Sequence, residues 1–425
     1  ISRTQGFLRF KYSRERWFEL NMSGALSYGY FLQGHGGSLG SDAESYSVRG
    51  SLEPRLQELY VGFFTPDVDI RVGQQRVAWG RADTQSPNDI LNAYDMRDPL
   101  TPETDLAHIP TPLIRVDWYF GDVSLQGIVA PVFVPDVLDV YGSNWALLQP
   151  DAPRELRGFF RLMSSMVDTS QHDAFNRLIQ HTEQPDPAAE NVSAGGKLAA
   201  TLGSVDVDVY YFYGFDSTPL LKLDSALIEQ LKDVNFATAT VANFDVLFTS
   251  FQLGYPLLTI EYVRRHHVGF DAATVLGPLG LRLDAAYDTA RVFFRRDLSG
   301  IASRTLQTVA SIEYQTGDLR RVFLIEGSVL QLLDVESEDL LLVEETSITA
   351  AALVRFPVLT SFDVELRAML GVLPRSVLLR PQLGHRFSES FSVYAGGVWL
   401  SGANWSLGEY FGRNVEGYLA AKYAF

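Results

Sequence analysis

One stretch of the chain concentrates residues that could act together. It runs from Val72 to Asp83 and on through Pro99, and it holds Arg76, Trp79, Arg81, Asp83, Asn88, Asp89, Arg97 and Asp98. These are ion-pairing and hydrogen-bonding groups with one large aromatic. None is a nucleophile beside a base, so their chemistry is pairing and solute contact, not bond making. Such a polar segment is ordered when its groups pair with one another or with a charged wall. It serves either as a structural network or as a surface for substrate. Other reactive patterns are missing from the sequence. There is no phosphate loop, no Gly-x-Ser-x-Gly elbow and no metalloprotease helix. Seven histidines are scattered and only His266 and His267 are close. Neighbours on a strand point to opposite faces, so that pair cannot easily share a metal. The expectation is no enzyme, no metal and no cofactor.

The elements that must position these groups are strands. In 113–120, Ile114, Val116, Trp118 and Phe120 share one face, and Arg115, Asp117 and Tyr119 the other. In 281–289, leucines and Tyr287 oppose Arg282, Asp284 and Asp288; in 363–370, Val364, Leu366 and Leu370 oppose Asp363, Glu365 and Arg367. In 378–386, Leu379, Pro381 and Leu383 oppose Arg380, Gln382 and Arg386. An apolar face toward lipid and a face of mixed charge toward a wet lumen is the alternation of a transmembrane barrel. The expected lumen set is completed by Glu261, Arg295, Arg320 and Glu326. Val68, Ile70 and Val72 face lipid in the same register. A bulge at Gly73 is expected to reset it and aim Arg76 and Trp79.

Tight turns near Pro66, Gly121, Gly203, Tyr255-Pro256, Gly277, Gly317, Pro357 and Ser388 alternate with longer connections. Short periplasmic turns and long external loops fit this rhythm and predict about 18 strands, or 16 if one hairpin is merged. The first strand is placed at 16–32 and the last at 415–425, with 1–15 as an extension. The fold expected is all-β: a single antiparallel transmembrane barrel over 1–425. The connections 134–192 and 216–238 are too long for plain loops. Each contains a predicted helix, around Ala174, Phe175, Leu178 and Ile179 and around Leu220, Leu221, Leu223, Leu227, Ile228 and Leu231. They cap the pore or fold into it.

Composition agrees. Apolar residues make up 46% and no run approaches the ~20 residues of a spanning helix. Open sheet edges cannot sit in lipid, so a membrane protein of this kind must be a barrel. There is no cysteine, and the net charge of −16 excludes a nucleic-acid partner. The chain ends with Leu419, Tyr423 and Phe425 on one face and Lys422 on the other. That closing strand predicts recognition by barrel-assembly machinery, outer-membrane lipid and lipopolysaccharide as surroundings, and location in the cell outer membrane. Ile1 then reads as a mature or trimmed start.

The motifs Glu58-Leu59-Tyr60, Gly73-Gln74-Gln75, Trp79-Gly80-Arg81-Ala82-Asp83 and Ser86-Pro87-Asn88-Asp89 resemble a family of outer-membrane barrels catalogued as a domain of unknown function. Tyr119-Phe120-Gly121, Pro131 to Phe133, Asn191 to Gly196 and Tyr211 to Pro219 continue the resemblance, which spans about half the chain. Gln74 stands where a basic residue is usual, and Ser86 where Asn is usual. Members of that family often accompany exporters of the resistance-nodulation-division type and are similar to alginate-export porins. The resemblance implies a barrel with a transport role, with a periplasmic carrier and an inner-membrane exporter as companions. The function expected is a passive outer-membrane channel for small organic, apolar or lipid-like molecules. A polysaccharide-export porin and a structural barrel anchoring an envelope complex are the alternatives.

Overall fold

A computed structural model describes residues 2–14, 17–35, 45–96, 107–138, 145, 180–182, 184–223, 258–296, 298–317, 321–335, 340–359, 361–412 and 414–423. Its strands are β1 (Ser2–Arg14), β2 (Phe18–His35), β3 (Ser45–Phe64), β4 (Val68–Gln75), β5 (Ala93–Tyr94), β6 (His108–Ile109), β7 (Thr111–Phe120) and β8 (Val123–Ala130). There follow β9 (Gln180–Thr182), β10 (Ser193–Leu202), β11 (Val205–Phe215), β12 (Leu220–Leu223), β13 (Leu258–Glu261), β14 (Arg264–Leu276), β15 (Leu279–Arg295) and β16 (Gly300–Gln315). The chain closes with β17 (Val322–Leu332), β18 (Leu340–Leu341), β19 (Thr346–Leu359), β20 (Phe362–Leu373), β21 (Ser376–Arg386), β22 (Phe391–Gly402), the short helix α1 (Leu407–Tyr410) and β23 (Glu416–Tyr423).

Eighteen of these strands form one antiparallel sheet; within it each strand pairs with the next in chain order, except that the two-residue β18 pairs with the end of β15 and β17 pairs directly with β19. β5 pairs with β6 apart from this sheet, and β9, β12 and β13 form a separate three-stranded sheet. Among the described residues no ladder joins β23 to β1, and no helix is long and apolar enough to cross a membrane. That last observation says nothing of crossing by strands.

One end of the sheet carries tight turns. Gly121, Gly203 and Gly277 open three of them at φ of 67°, 67° and 62°. Two-residue hairpins need positive φ to match the twist of their strands, and glycine supplies it without a Cβ clash. The opposite end carries the long connections, with the brief links 296–299 between β15 and β16 and 374–375 between β20 and β21 as exceptions.

Burial across the sheet is inverted relative to a water-soluble protein. On β17, Glu326 is 2% exposed while its neighbour Ile325 is 68% exposed. On β16, Ser303, Thr305, Gln307 and Ser311 are buried while Leu306 and Ile312 are exposed. Asp208, Asp271, Asp284 and Asp288 are buried, and Val209, Val268, Leu283 and Leu366 are exposed. The turn end of the apolar face is ringed by exposed Trp17, Phe63, Phe120, Tyr314, Phe323 and Phe387. Apolar belts edged with aromatics are what a strand-built membrane protein presents to lipid.

Several expectations are corrected. Residues 2–14 are not an extension; they form β1 and pair with β2 along their whole length. Leu220, Leu221 and Leu223 lie on a strand, because Leu258–Glu261 pairs with them and the partner overrides helical periodicity. Ala174, Phe175, Leu178, Ile179, Leu227, Ile228 and Leu231 lie outside the described residues, as does the Tyr255-Pro256 turn. The residues just after that turn join the small sheet, not the large one. Pro357 sits within β19 beside a register irregularity, and the ladder to β20 runs on to Leu359, which faces Phe362. Proline lacks the N–H of a regular ladder, which places it at such irregular sites. The ladders on both sides of Gly73 run without a register shift. The bulge lies on β3 instead, where Gln57 is passed over between Ser23 and Gly24 of β2. No reset is needed, because the strand ends at Gln75 and the chain leaves the sheet.

Candidate functional site: an inward-folded segment

The chain between β4 and β7 folds across the polar face of the sheet. Its base is apolar. Val77, Trp79 and Leu91 pack against Leu113, Ile128, Tyr210 and Phe212 of the wall. Burial of each such side chain is worth about 1.5–3 kcal/mol. The Trp79 indole N–H donates to Gln126 Oε1 at 2.7 Å, and its ring lies 5.1 Å from that of Tyr210. The Asn92 side chain bonds both ways with Val77: Val77 N–H donates to Oδ1 at 3.2 Å and Nδ2 donates to the Val77 carbonyl at 2.9 Å. The segment is thus doubled back on itself. Beside this cluster is a cavity of about 40 Å³, lined by Ile90, Leu91, Leu113, Ile128, Phe212 and Phe215 among others.

The tip is polar. Gly80 adopts φ of 85°, and a Cβ there would run into Ser86 Oγ and Asp284 Oδ2. Its N–H donates to Tyr210 Oη at 3.2 Å. Arg81 reaches three carboxylates: Asp271 at 2.7 Å, Asp208 at 3.3 Å and Asp206 at 3.7 Å. Asp284 Oδ2 accepts the N–H groups of Arg81 at 2.9 Å and Ala82 at 3.1 Å and the hydroxyl of Ser86 at 2.5 Å. Glu326 accepts Asp83 N–H at 3.0 Å and the Thr84 hydroxyl. Arg282 pairs with Asp83 and, at 2.5 Å, with Glu313. Asn88 Nδ2 donates to the Phe270 carbonyl at 3.1 Å, and Gln85 Nε2 meets Met369 Sδ at 3.8 Å. A buried carboxylate is tolerated only when donors replace its water. Here the segment's backbone and Arg81 are those donors. Burial opposes the Arg81 charge, but Asp271 and Asp208 hold its pKa above the ordinary arginine value. Burial pushes the Asp83 carboxyl up, with Arg282 pulling it down and Glu313 and Asp284 adding to the rise.

Trp79 touches β8 and Gln85 touches β20. In a flat sheet those strands would lie about 38 Å apart, at ~4.8 Å per strand. Six extended residues reach only about 21 Å. The sheet therefore curls around the segment with its polar face inward.

The return limb is held separately. Tyr94 Oη donates to Asp89 Oδ2 at 2.8 Å, and His108 Nε2 lies 2.9 Å from the same oxygen. Burial, then the Asp89 charge, pushes the Tyr94 phenol up. Arg55 pairs with Asp95. Asp136 accepts Tyr94 N–H at 2.7 Å and the Thr218 hydroxyl at 3.0 Å. Burial pushes Asp136 up to about 6, outweighing the Tyr94 donor and helped by the Asp216 charge.

The residues singled out in the sequence separate as follows. Trp79, Arg81, Asp83 and Asn88 meet the wall, with Arg282 and Asp284 as partners; Asp89 bonds within the segment. Arg76 is placed by its N–H, which donates to Glu58 Oε1 at 3.3 Å. Asp288 lies one layer away, bound to His267 at 3.0 Å and Arg265 at 3.2 Å. Glu365, Arg367 and Arg380 form a separate group on the opposite wall. Arg295 sits at the far end of β15, and Arg386 is exposed near a turn. Glu261 is off the wall entirely: it is on β13 and pairs with Lys222 at 2.5 Å. Its alternation resembled a wall strand, but its partner strand is β12. Arg97, Asp98 and Arg320 lie outside the described residues. His266 and His267 do face opposite sides, His266 toward Tyr211 Oη at 2.9 Å and His267 toward Asp288. Sequence reading missed Gln126, Asp208, Tyr210 and Asp271. Each sits on the polar side of an alternating strand, which was the available signal.

No curated protein matches the chain. Among solved structures it is similar to OccAB3 of Acinetobacter baumannii, with 8% identity, a TM-score of 0.47 and coverage of 100% of this chain and 92% of that one. OccAB1 of the same organism gives 9%, 0.46, 99% and 94%. Wzi of Escherichia coli, described as an outer-membrane protein involved in group 1 capsule assembly and a carbohydrate-binding β-barrel, gives 9%, 0.42, 98% and 76%. Residues 10–363 match the family described as "Protein of unknown function (DUF1302)", and the chain belongs to that family.

Proposed function

We propose that the protein is an outer-membrane β-barrel that passes small organic solutes through a lumen narrowed by the segment between β4 and β7. The observation that carries this reading is the inverted burial of the sheet together with a segment laid across its polar side. An exposed apolar face of this extent is costly in water and favourable in lipid. A curled sheet whose polar side leaves Asp83, Arg355 and Arg367 open to the lumen supplies a polar path. Strands rather than helices make the crossing, and their ladders pair most of the backbone within the sheet.

Transport is passive in this reading, driven by the solute gradient. The walls differ in balance: on β11 to β17 Asp208, Asp271, Asp284, Asp288, Glu313 and Glu326 outnumber Arg265 and Arg282, and on β19 to β21 Arg355, Arg367 and Arg380 accompany Asp363 and Glu365. A periplasmic carrier and an inner-membrane exporter are proposed companions.

The test is single-channel recording in planar bilayers. Wild-type protein is expected to give discrete steps. A variant with residues 79–88 replaced by a Gly/Ser linker is expected to give larger ones. No conductance from either protein would sink the channel reading.

A further inference from the structure

We infer that Arg367 and Arg380 form a binding point for the carboxylate of small organic anions, beside the tip of the inward segment; this rests on the channel reading. The two residues are direct cross-strand partners on β20 and β21. Arg367 alternates with exposed Leu366 and Leu370, and Arg380 shares a face with Leu378, which packs into an interior cluster. Both therefore project from the inner face. Like charges directly opposite on one sheet face repel.

The compensation available is small. Glu365 accepts from Arg367 Nε at 2.6 Å and from Arg355 Nε at 2.7 Å. Arg380 has no carboxylate partner among the described residues; its guanidinium lies 6.0 Å from the Tyr418 ring. Glu365 thus serves two guanidinium groups at once, and Arg380 adds a third beside them. The side chains of Arg355 and Arg367 are each 42% exposed, so the excess positive charge faces solvent in the lumen.

The position gives this charge a use. Met369, which meets Gln85 of the segment tip, is the next inward residue after Arg367 on β20. A solute moving past the tip passes the arginine pair. Guanidinium groups match a planar carboxylate in a fork of two hydrogen bonds. The segment's side of the gap sets Asp83, Glu313 and Glu326 against one cation, Arg282, and so keeps an acidic balance. A solute with one negative end is oriented by this arrangement. A doubly charged phosphate is repelled more strongly by the acidic side and fits less well.

The experiment has two arms. In bilayers under gradients of potassium acetate and potassium chloride, the wild-type reversal potential is expected to show anion preference. Arg380→Gln and Arg367→Gln should each shift the anion-to-cation permeability ratio about fivefold toward cations, the factor a unit charge exerts at ~4 Å in water. A ratio unchanged in both variants, or a cation-preferring wild type, overturns the inference. In the second arm, labelled benzoate is dialysed to equilibrium against protein in detergent. Wild type should bind it and Arg380→Gln should not. Equal binding by both, or stronger competition from inorganic phosphate than from acetate, also overturns it. Benzoate binding without conductance would sink the channel reading and leave the anion point standing. Removing a like-charged neighbour should leave the melting temperature of Arg380→Gln equal to or above that of wild type; a marked fall would make Arg380 structural and overturn the assignment.

Discussion

Arg81 Nε donates to Asp271 Oδ1 at 2.7 Å and so joins positions 190 residues apart in the chain. The bond ties the segment tip to the wall at a carboxylate with no exposed side-chain surface. Removing the guanidinium would leave Asp271 buried beside Asp208, with the Tyr210 hydroxyl as its donor and Lys197 3.4 Å from Asp208. Arg81→Met is therefore expected to destabilise the segment by about 3 kcal/mol, the cost of breaking a buried pair from one side. The measurements are the detergent melting temperature and proteolysis within 79–88. Unchanged protection there would count against Arg81 as the tether.

Trp79 carries the apolar half of the attachment. Trp79→Ala should cost about 3–5 kcal/mol, from lost burial plus the cavity it leaves. Trp79→Phe keeps most of the packing but leaves Gln126 Oε1 without its indole donor, and should cost less. The ranking, read by thermal unfolding, matters more than either value. Equal effects would place the energy in the hydrogen bond and not in the packing.

The outer face offers a test of the membrane reading itself. Ile325 is among the most exposed large side chains of the sheet. In water, Ile325→Arg would be close to neutral, as surface substitutions generally are. In a bilayer it should cost about 2–4 kcal/mol near the midplane and less toward the edges. Refolding into lipid vesicles at graded urea measures the difference. A neutral outcome in lipid contradicts the proposed orientation.

Asp136 makes the return limb pH-dependent. Its carboxyl titrates at about 6 in the fold, above the unfolded value near 4. The folded state therefore holds the proton more tightly. Stability from this group is fully present below about pH 4 and is lost as pH rises through about 6, by about 3 kcal/mol in all. Wild-type melting temperature should fall between pH 5 and pH 8 relative to Asp136→Asn. Parallel curves for the two proteins would remove Asp136 as the cause.

Much of the strand pattern was legible because a strand sorts its side chains with period two. Val68, Ile70 and Val72, or Leu366 and Leu370, announce an apolar face without any knowledge of neighbours. The segment from Arg76 to Asp98 was also marked, by its density of charge. Its partners were not, because an alternating strand supplies an inward carboxylate every other residue and the sequence does not say which ones meet a loop. Asp208 and Asp271 look no different from Asp69 of β4 until the fold brings Arg81 to them. Glu261 shows the reverse failure, since a short alternating run reads alike whether its partner belongs to the wall or to a small separate sheet.

By itself, then, the sequence determined the local facts: extended strands, tight glycine turns, one face apolar and one charged, and a segment that would need partners. These follow from residue types and their spacing along one chain. The tertiary structure decided the rest: β1 as a strand, the inward path of the segment, the pairing of Arg81 with Asp271, and the facing of Arg367 with Arg380. Those relations depend on register and curvature across many strands. A shift of one residue in a ladder exchanges the two faces, so only the assembled sheet selects which charges share the interior.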